Sequence, residues 1–375
     1  MTDHQLKINT TVAISKPELN KLLGILTGAG YKTIGPVVKN NSLVYEQIND
    51  ISDLPYGYET VQKPGQYRIF KNGGSEYFQA TPGASTWKKY LTPPRTKLFG
   101  LVNIDEKWEK APVSRTHPKY AFIGVRSCEI ASMNIQDTVL IREDYTDMLY
   151  KKIREELIII AVNCLHPAET CFCTSMDTGP EAKEGYDLRL TELDDMFLVN
   201  IGSQKGIDML DQLEFAFANA LSLQTENEML LEARDKINGG ITDVEHLPEL
   251  LMNNLNDPAW EIVGKKCLSC GSCTSVCPTC FCWDVQDVTN LHGTETQRDK
   301  VWDSCFNPSF TAHAGGGSSR PTTTSRLRQR LTHKFASWVG QHGEEGCVGC
   351  GRCIVWCPAK IDVREEIKIL QEAFK

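Results

Sequence analysis

The feature that most constrains this chain is a pair of four-cysteine runs in its last third. Cys267-x2-Cys270-x2-Cys273-x3-Cys277-Pro278 is the first, and Cys347-x2-Cys350-x2-Cys353-x3-Cys357-Pro358 the second. Three thiolates at two-residue gaps wrap the backbone around three irons of a cubane. The fourth, just ahead of proline, is carried along the following segment to the neighbouring cluster. The spacing therefore predicts one [4Fe–4S] cluster on Cys267, Cys270, Cys273 and Cys357, and a second on Cys347, Cys350, Cys353 and Cys277. Gly271 and Gly351 let the backbone pass close to the sulfides, where exposed amides tune the potential. Structural zinc also uses Cys-x2-Cys pairs, but two complete runs that each close on Cys-Pro favour iron and sulfide.

The remaining cysteines fall into two groups. The chain has fifteen in all, none before Cys128, four from Cys128 to Cys173 and eleven from Cys267 to Cys357. An odd count without an export signal disfavours a disulfide framework and favours metal ligation. Cys128, Cys164, Cys171 and Cys173 match the number that a third [4Fe–4S] cluster requires, with His166 or Asp177 as replacement ligands for one of them. The alternative is that Cys128 and Cys164 are buried core residues, as free cysteines often are. For Cys280, Cys282 and Cys305 two readings stand side by side: packing around the cluster domain, and ligation of a further centre.

Apolar patterning places these residues. Segments 121–125 (AFIGV) and 157–162 (LIIIAV) are short, apolar and rich in β-branched residues, as buried parallel strands are. Helical character over 129–140 between them gives a βαβ crossover, and Cys128 and Cys164 follow the strand ends, where sites collect in open α/β sheets. Near the start, Ser15 and Glu18 have capping-box spacing, Pro17 suits an early helical position, and Leu19, Leu22, Leu23 and Leu26 mark one helical face. Residues 60–120 read as short strands and loops. From 206 to 266 the pattern turns helical, with a hinge expected at Asn238-Gly239-Gly240.

About seventy residues separate the two cysteine runs, and helix formers dominate part of that insert (TSRLRQRLTHKFASWVG). The expected fold class is α+β: an N-terminal α/β domain over 1–205 carrying the third cluster site, then a helical linker and a mostly helical two-cluster ferredoxin-like domain over 206–375. The basic stretch 320–334, with Arg326, Arg328, Arg330 and Lys334, reads as a solvated helical face, a partner-docking surface, or a source of positive charge that raises cluster potentials.

Several function classes are excluded or disfavoured. A net charge of −8 argues against nucleic acid as a partner. No apolar run approaches a membrane span. The opening residues, MTDHQLKINTT, lack a basic patch followed by an apolar stretch, so the expected location is cytoplasmic. No Gly-rich nucleotide fingerprint follows a predicted strand. No residue is assigned a catalytic role.

Taken together, several segments resemble one family. They are Gly124-Val125-Arg126-Ser127-Cys128-Glu129, Asn163-Cys164, the stretch from Thr170 through Cys171-Phe172-Cys173 to Pro180, and Cys277-Pro278-Thr279-Cys280-Phe281-Cys282-Trp283-Asp284. Trp302-Asp303-Ser304-Cys305, Gly346 to Cys353, Tyr67-Arg68 and Ser85-Thr86-Trp87-Lys88 belong with them. The resemblance is to the beta subunit of sulfhydrogenase-type, NAD(P)-linked nickel–iron hydrogenases, itself similar to the iron–sulfur subunit of anaerobic sulfite reductase. Ser127 departs from the proline expected there. The resemblance implies an electron-transfer subunit of an oxidoreductase complex. It further implies a partner with FAD and a [2Fe–2S] cluster that exchanges hydride with NAD(P)H. The terminal partner is either the small and large hydrogenase subunits or a sirohaem sulfite reductase. A cluster-bearing enzyme acting at an open N-terminal iron, with His166 or Cys171 in attendance, is the rival reading.

Overall fold

The computed structural model describes residues 6–113, 116–237 and 239–374. Its strands, in chain order, are β1 (Thr11–Ser15), β2 (Tyr31–Lys39), β3 (Ser42–Gln47), β4 (Tyr58–Lys63), β5 (Gln66–Lys71), β6 (Arg95–Ile104) and β7 (Lys107–Lys110). They continue with β8 (Lys119–Val125), β9 (Ile158–Val162), β10 (Leu188–Glu192), β11 (Met196–Ile201), β12 (Ala216–Phe217), β13 (Trp283–Thr289) and β14 (Glu295–Trp302).

Eight strands form the main sheet in the order β12-β1-β11-β10-β9-β8-β2-β3. The central pairs β2–β8, β8–β9 and β9–β10 are parallel, and the flanking pairs are antiparallel. As expected, β8 and β9 are joined through the helix Ser127–Leu140. Both faces of the sheet are covered. Ile158, Ile160 and Val162 of β9 enter one core with Leu19, Leu22, Leu23 and Leu26 of the helix Lys16–Gly28. Ile159 and Ala161 enter the other with Trp87, Phe122 and Met133. Burying each of those four leucines stabilises the fold by about 1.5–3 kcal/mol relative to exposure. The capping box expected at Ser15 does not form: Ser15 makes no side-chain cap bond. Glu18 is buried and held instead by Lys21 and the Glu214 N–H.

The C-terminal part departs from the mostly helical expectation. Its insert does contain the expected helix, Thr323–Thr332, which runs through a π-type turn at His333–Ser337 into Trp338–His342. Before it, however, β13 and β14 form a hairpin that joins β6 and β7 in a four-stranded sheet, β13-β14-β6-β7. The physical reason is visible in WDVQDVT, where exposed β-branched and aromatic residues extend the edge of an existing sheet. Similarly, the run LDQLEFAFANAL (210–221) is helical only at its ends, where Leu210 closes one helix and Ala220 opens the next. Its Ala216 and Phe217 pair with Ala13 and Val12 of β1. Two sheets thus combine strands from both sides of residue 205. Of the expected hinge, Gly239 has a positive φ of 75° and Asn238 lies outside the described residues. Among the described residues no helix is long and apolar enough to cross a membrane.

The two cysteine runs repeat one local fold. Ser269 and Gly271 in the first, and Gly349 and Gly351 in the second, have positive φ. Each run then makes a short helix, Ser272–Ser275 or Arg352–Val355. The Cys277 N–H donates to Thr274 O and the Cys357 N–H to Ile354 O, both at 3.4 Å. A third core of Leu247, Trp260, Leu327, Leu331, Ile354, Ile367 and Leu370 packs beneath them.

Gly351 is required twice over. Its φ is 70°, and a Cβ there would collide with the Thr170 carbonyl. Gly351→Ala is expected to cost about 2–4 kcal/mol through left-handed strain and overpacking. Gly340→Ala, on an open helical surface with no atom within 4 Å of the new methyl, is expected to gain about 0.5–1 kcal/mol. Anaerobic thermal unfolding of the two variants checks this, and equal melting temperatures would refute it.

Candidate metal centres

Every cysteine is a free thiol, and the fold gathers them as the spacing predicts. Cys267, Cys270, Cys273 and Cys357 line one cavity, closed by Leu327, Leu331 and Pro358. In the second set, Cys347 lies next to Cys277 and Cys350, and Cys353 next to all three. The exchange of last cysteines between runs is therefore built into the backbone.

The third set comes together at the edge of the main sheet. Because β8 and β9 are parallel neighbours, their ends deliver Cys128 and Cys164 to the same edge. The loop with Cys171 and Cys173 folds back beneath them, and all four line a cavity with Gln62, Arg126, Gly179 and Arg352. Gly124, at φ 79°, marks the register shift in β8 just before this point. Cys350 also lines the third cavity, so the second and third sets share a wall. The Phe172 N–H donates to Gly349 O at 2.8 Å, and Thr178 Oγ1 to Val348 O at 2.8 Å. These bonds seat the N-terminal loop on the second cysteine run.

Neither replacement ligand enters this cavity. His166 Nε2 is 2.9 Å from Glu76 Oε1, and the Lys183 ammonium lies 3.0 Å from Asp177 Oδ1 on the surface. Asp177 has left-handed backbone after the turn Cys173–Met176, which carries its carboxylate outward. With His166 held by Glu76, the geometry gives no support to an open N-terminal iron attended by that histidine.

The spacing of the sulfurs bears on which metal they suit. Four thiolates on one zinc at 2.3 Å bonds stand about 3.8 Å apart. Among the described residues no three cysteine sulfurs lie within 4.8 Å of one another. That is wider than a single zinc requires, and a cubane's thiolates sit on separate irons. Burial pushes the Cys128 thiol well up, and Cys171 and Cys347 each up to about 12. The protein alone therefore holds them as thiols, and a bound metal is what would stabilise their thiolates.

Sequence reasoning missed the cations that face these thiols. Arg126 Nη1 donates to Cys164 Sγ at 2.7 Å, and its Nη2 donates to the Phe78 and Ala80 carbonyls. Arg352 Nη2 donates to Glu129 Oε1 at 2.5 Å, with both side chains almost wholly buried. Glu129 also accepts from the Tyr45 hydroxyl at 2.7 Å and the Arg126 N–H at 3.1 Å. The only local signal was position: each arginine stands within two residues of a cysteine. The basic stretch is corrected too. Arg326, Arg330 and Lys334 are buried, so it is not a solvated face, and the carbonyl of Leu255 accepts from Arg328.

This arrangement defines an iron–sulfur protein of the ferredoxin type: residues 266–361 match the 4Fe-4S dicluster domain family. Over 343 residues the chain is 32% identical to Sulfhydrogenase 2 subunit beta of Pyrococcus furiosus, covering 91% of this chain and 92% of that relative. The chain belongs to the sulfhydrogenase beta-subunit family. No solved structure matches it.

Glu129→Gln removes the anionic partner of buried Arg352 and is expected to cost about 3–5 kcal/mol. Tyr45→Phe, which deletes one hydrogen bond to the same carboxylate, is expected to cost about 1–3 kcal/mol. Anaerobic denaturant titration gives both values, and a reversed order would show that Glu129 does not carry the contact between the sheet and the dicluster domain.

Proposed function

We propose that this chain relays electrons within a cytoplasmic NAD(P)-linked hydrogenase complex. In this reading it lies between a subunit carrying FAD and a [2Fe–2S] cluster and the small and large nickel–iron hydrogenase subunits. Three [4Fe–4S] clusters carry the relay. Cys267, Cys270, Cys273 and Cys357 hold the first, Cys347, Cys350, Cys353 and Cys277 the second, and Cys128, Cys164, Cys171 and Cys173 the third. Residues 1–205 act as the domain of the third cluster and 206–375 as the dicluster domain. When bound, such clusters supply one-electron exchange with little change in geometry.

The single observation that carries this reading is the continuity of the thiol sets: Cys353 borders the first cavity and Cys350 the third. The residues around them do the protein's part. Phe172, Val348 and Ile354 are buried and exclude water from the thiols. Arg126, Arg352 and Arg330 set fixed positive charge beside sulfur, which favours the more negative, reduced state. The similarity to a sulfhydrogenase subunit supports the hydrogenase assignment over a sulfite reductase.

Cys350→Ser tests the relay in the assembled complex. Electron transfer from NAD(P)H to the hydrogenase is expected to fall at least roughly tenfold, the lower end of what loss of even an outer metal contact costs. Reduction of the partner's flavin is expected to be unchanged. Undiminished transfer overturns the relay, and anaerobically prepared protein with zinc and no acid-labile sulfide overturns the clusters altogether.

A further inference from the structure

Cys280, Cys282 and Cys305 belong to none of the three sets, yet the fold brings them together. Cys280 and Cys282 lead into β13, and Cys305 follows β14. The pairing of Trp283 with Trp302 closes the base of that hairpin, and the Asp303 N–H donates to Cys282 O at 2.9 Å. The Cys282 and Cys305 thiols face each other, and Cys280 lies beside both Cys305 and Cys277 of the second set. Cys280 and Cys282 open onto a cavity of about 410 Å³ bordered by Lys88, Trp302, Asp303 and Asn307.

The surroundings are wrong for simple packing. Lys88, Arg330 and Lys334 are 6%, 9% and 4% exposed. Lys88 Nζ donates to the Cys277 and Cys280 carbonyls at 3.3 and 3.2 Å and sits 4.1 Å from the Trp302 ring centre. Arg330 Nη1 lies 3.6 Å from Cys280 Sγ, and Lys334 Nζ donates to Thr279 Oγ1 at 2.6 Å. The anionic groups facing all three cations are cysteines. Buried cations left without anions cost several kcal/mol each, whereas thiolates on a metal centre supply the missing charge. Cys277 and Cys273 account for part of that charge as members of the ferredoxin sets. Lys88 reaches further, to Cys280 and Cys282, which those sets do not use.

We propose that Cys280, Cys282 and Cys305 hold a fourth iron–sulfur cluster, a three-thiolate [4Fe–4S] centre whose remaining position is completed from the cavity side. These three sulfurs do not all lie within 4.8 Å of one another, whereas thiolates on one zinc stand about 3.8 Å apart. The inference rests on the cubane reading of the other sets only for the class of cofactor.

The test uses the full chain, reconstituted anaerobically with ferrous iron and sulfide and compared with the triple variant Cys280→Ser, Cys282→Ser, Cys305→Ser. Wild type is expected to carry about sixteen iron and sixteen sulfide atoms per chain, and the variant about four fewer of each. The EPR signals of the other reduced clusters are expected to persist in the variant. Should the variant fail to fold, the wild-type count still decides. About twelve irons at full loading, or a Cys282–Cys305 disulfide in anaerobic protein, overturns the fourth cluster and leaves the three-cluster relay standing. Zinc without sulfide overturns both.

Discussion

The carboxylate of Glu129 is the joint on which the two halves of the molecule meet. It sits in the first turn of the helix that follows β8, and it receives a guanidinium from the second cysteine run, a phenol from β3 and a backbone N–H from Arg126. In a nearly dry site these partners have no substitute in water, so removing one strands the others. The third thiol set is assembled by the same contact. Cys128 precedes Glu129 by one residue, and Arg352 stands between Cys350 and Cys353. The ion pair therefore fixes the position of one thiol set against another as well as joining the main sheet to the dicluster domain.

Around that joint the chain inverts its own charge. Its net charge is −8, yet Lys88, Arg126, Arg330, Lys334 and Arg352 are all buried beside cysteines. Buried cations are tolerated only with compensating anions; Arg352 has Glu129 for this, and the other four face cysteine sulfurs. They come from different parts of the sequence: the short helix Lys88–Leu91, the end of β8, the helix of the insert, and the second cysteine run. That convergence explains why the insert is long. Its helix carries Arg330 and Lys334 between the ferredoxin sets, and its hairpin carries Cys282 and Cys305 to one place.

Much of this was legible from residue spacing. The cysteine runs follow from three-residue spacing, the parallel strands ahead of Cys128 and Cys164 from short continuous apolar runs, and the leucine face of the first long helix from the 3.6 period. What spacing did not reveal depends on contacts between distant segments. The hairpin β13–β14 looks like polar linker until β6 is present to pair with it, and Phe217 forms a strand only because β1 offers an open edge. His166 and Asp177 were attractive as ligands because they are near Cys164 and Cys173 in sequence, but Glu76 and Lys183 hold them elsewhere. Arg326, Arg330 and Lys334 show the same limit. A run of basic residues reads as a wet surface unless the anions it faces are known.

The exchange of final cysteines between the two runs also bears on how the molecule is made. The cavity lined by Cys267, Cys270, Cys273 and Cys357 has no fourth wall until residue 357 has left the ribosome. The set containing Cys277 likewise waits for Cys347, Cys350 and Cys353. Even the N-terminal cavity borrows Cys350 and Arg352. Translation has therefore passed both cysteine runs before the last of these chambers closes, and iron delivery has to act on a chain made at least that far. A ribosome stalled just short of Cys347 would leave a polypeptide with most of its thiols and none of those three chambers finished.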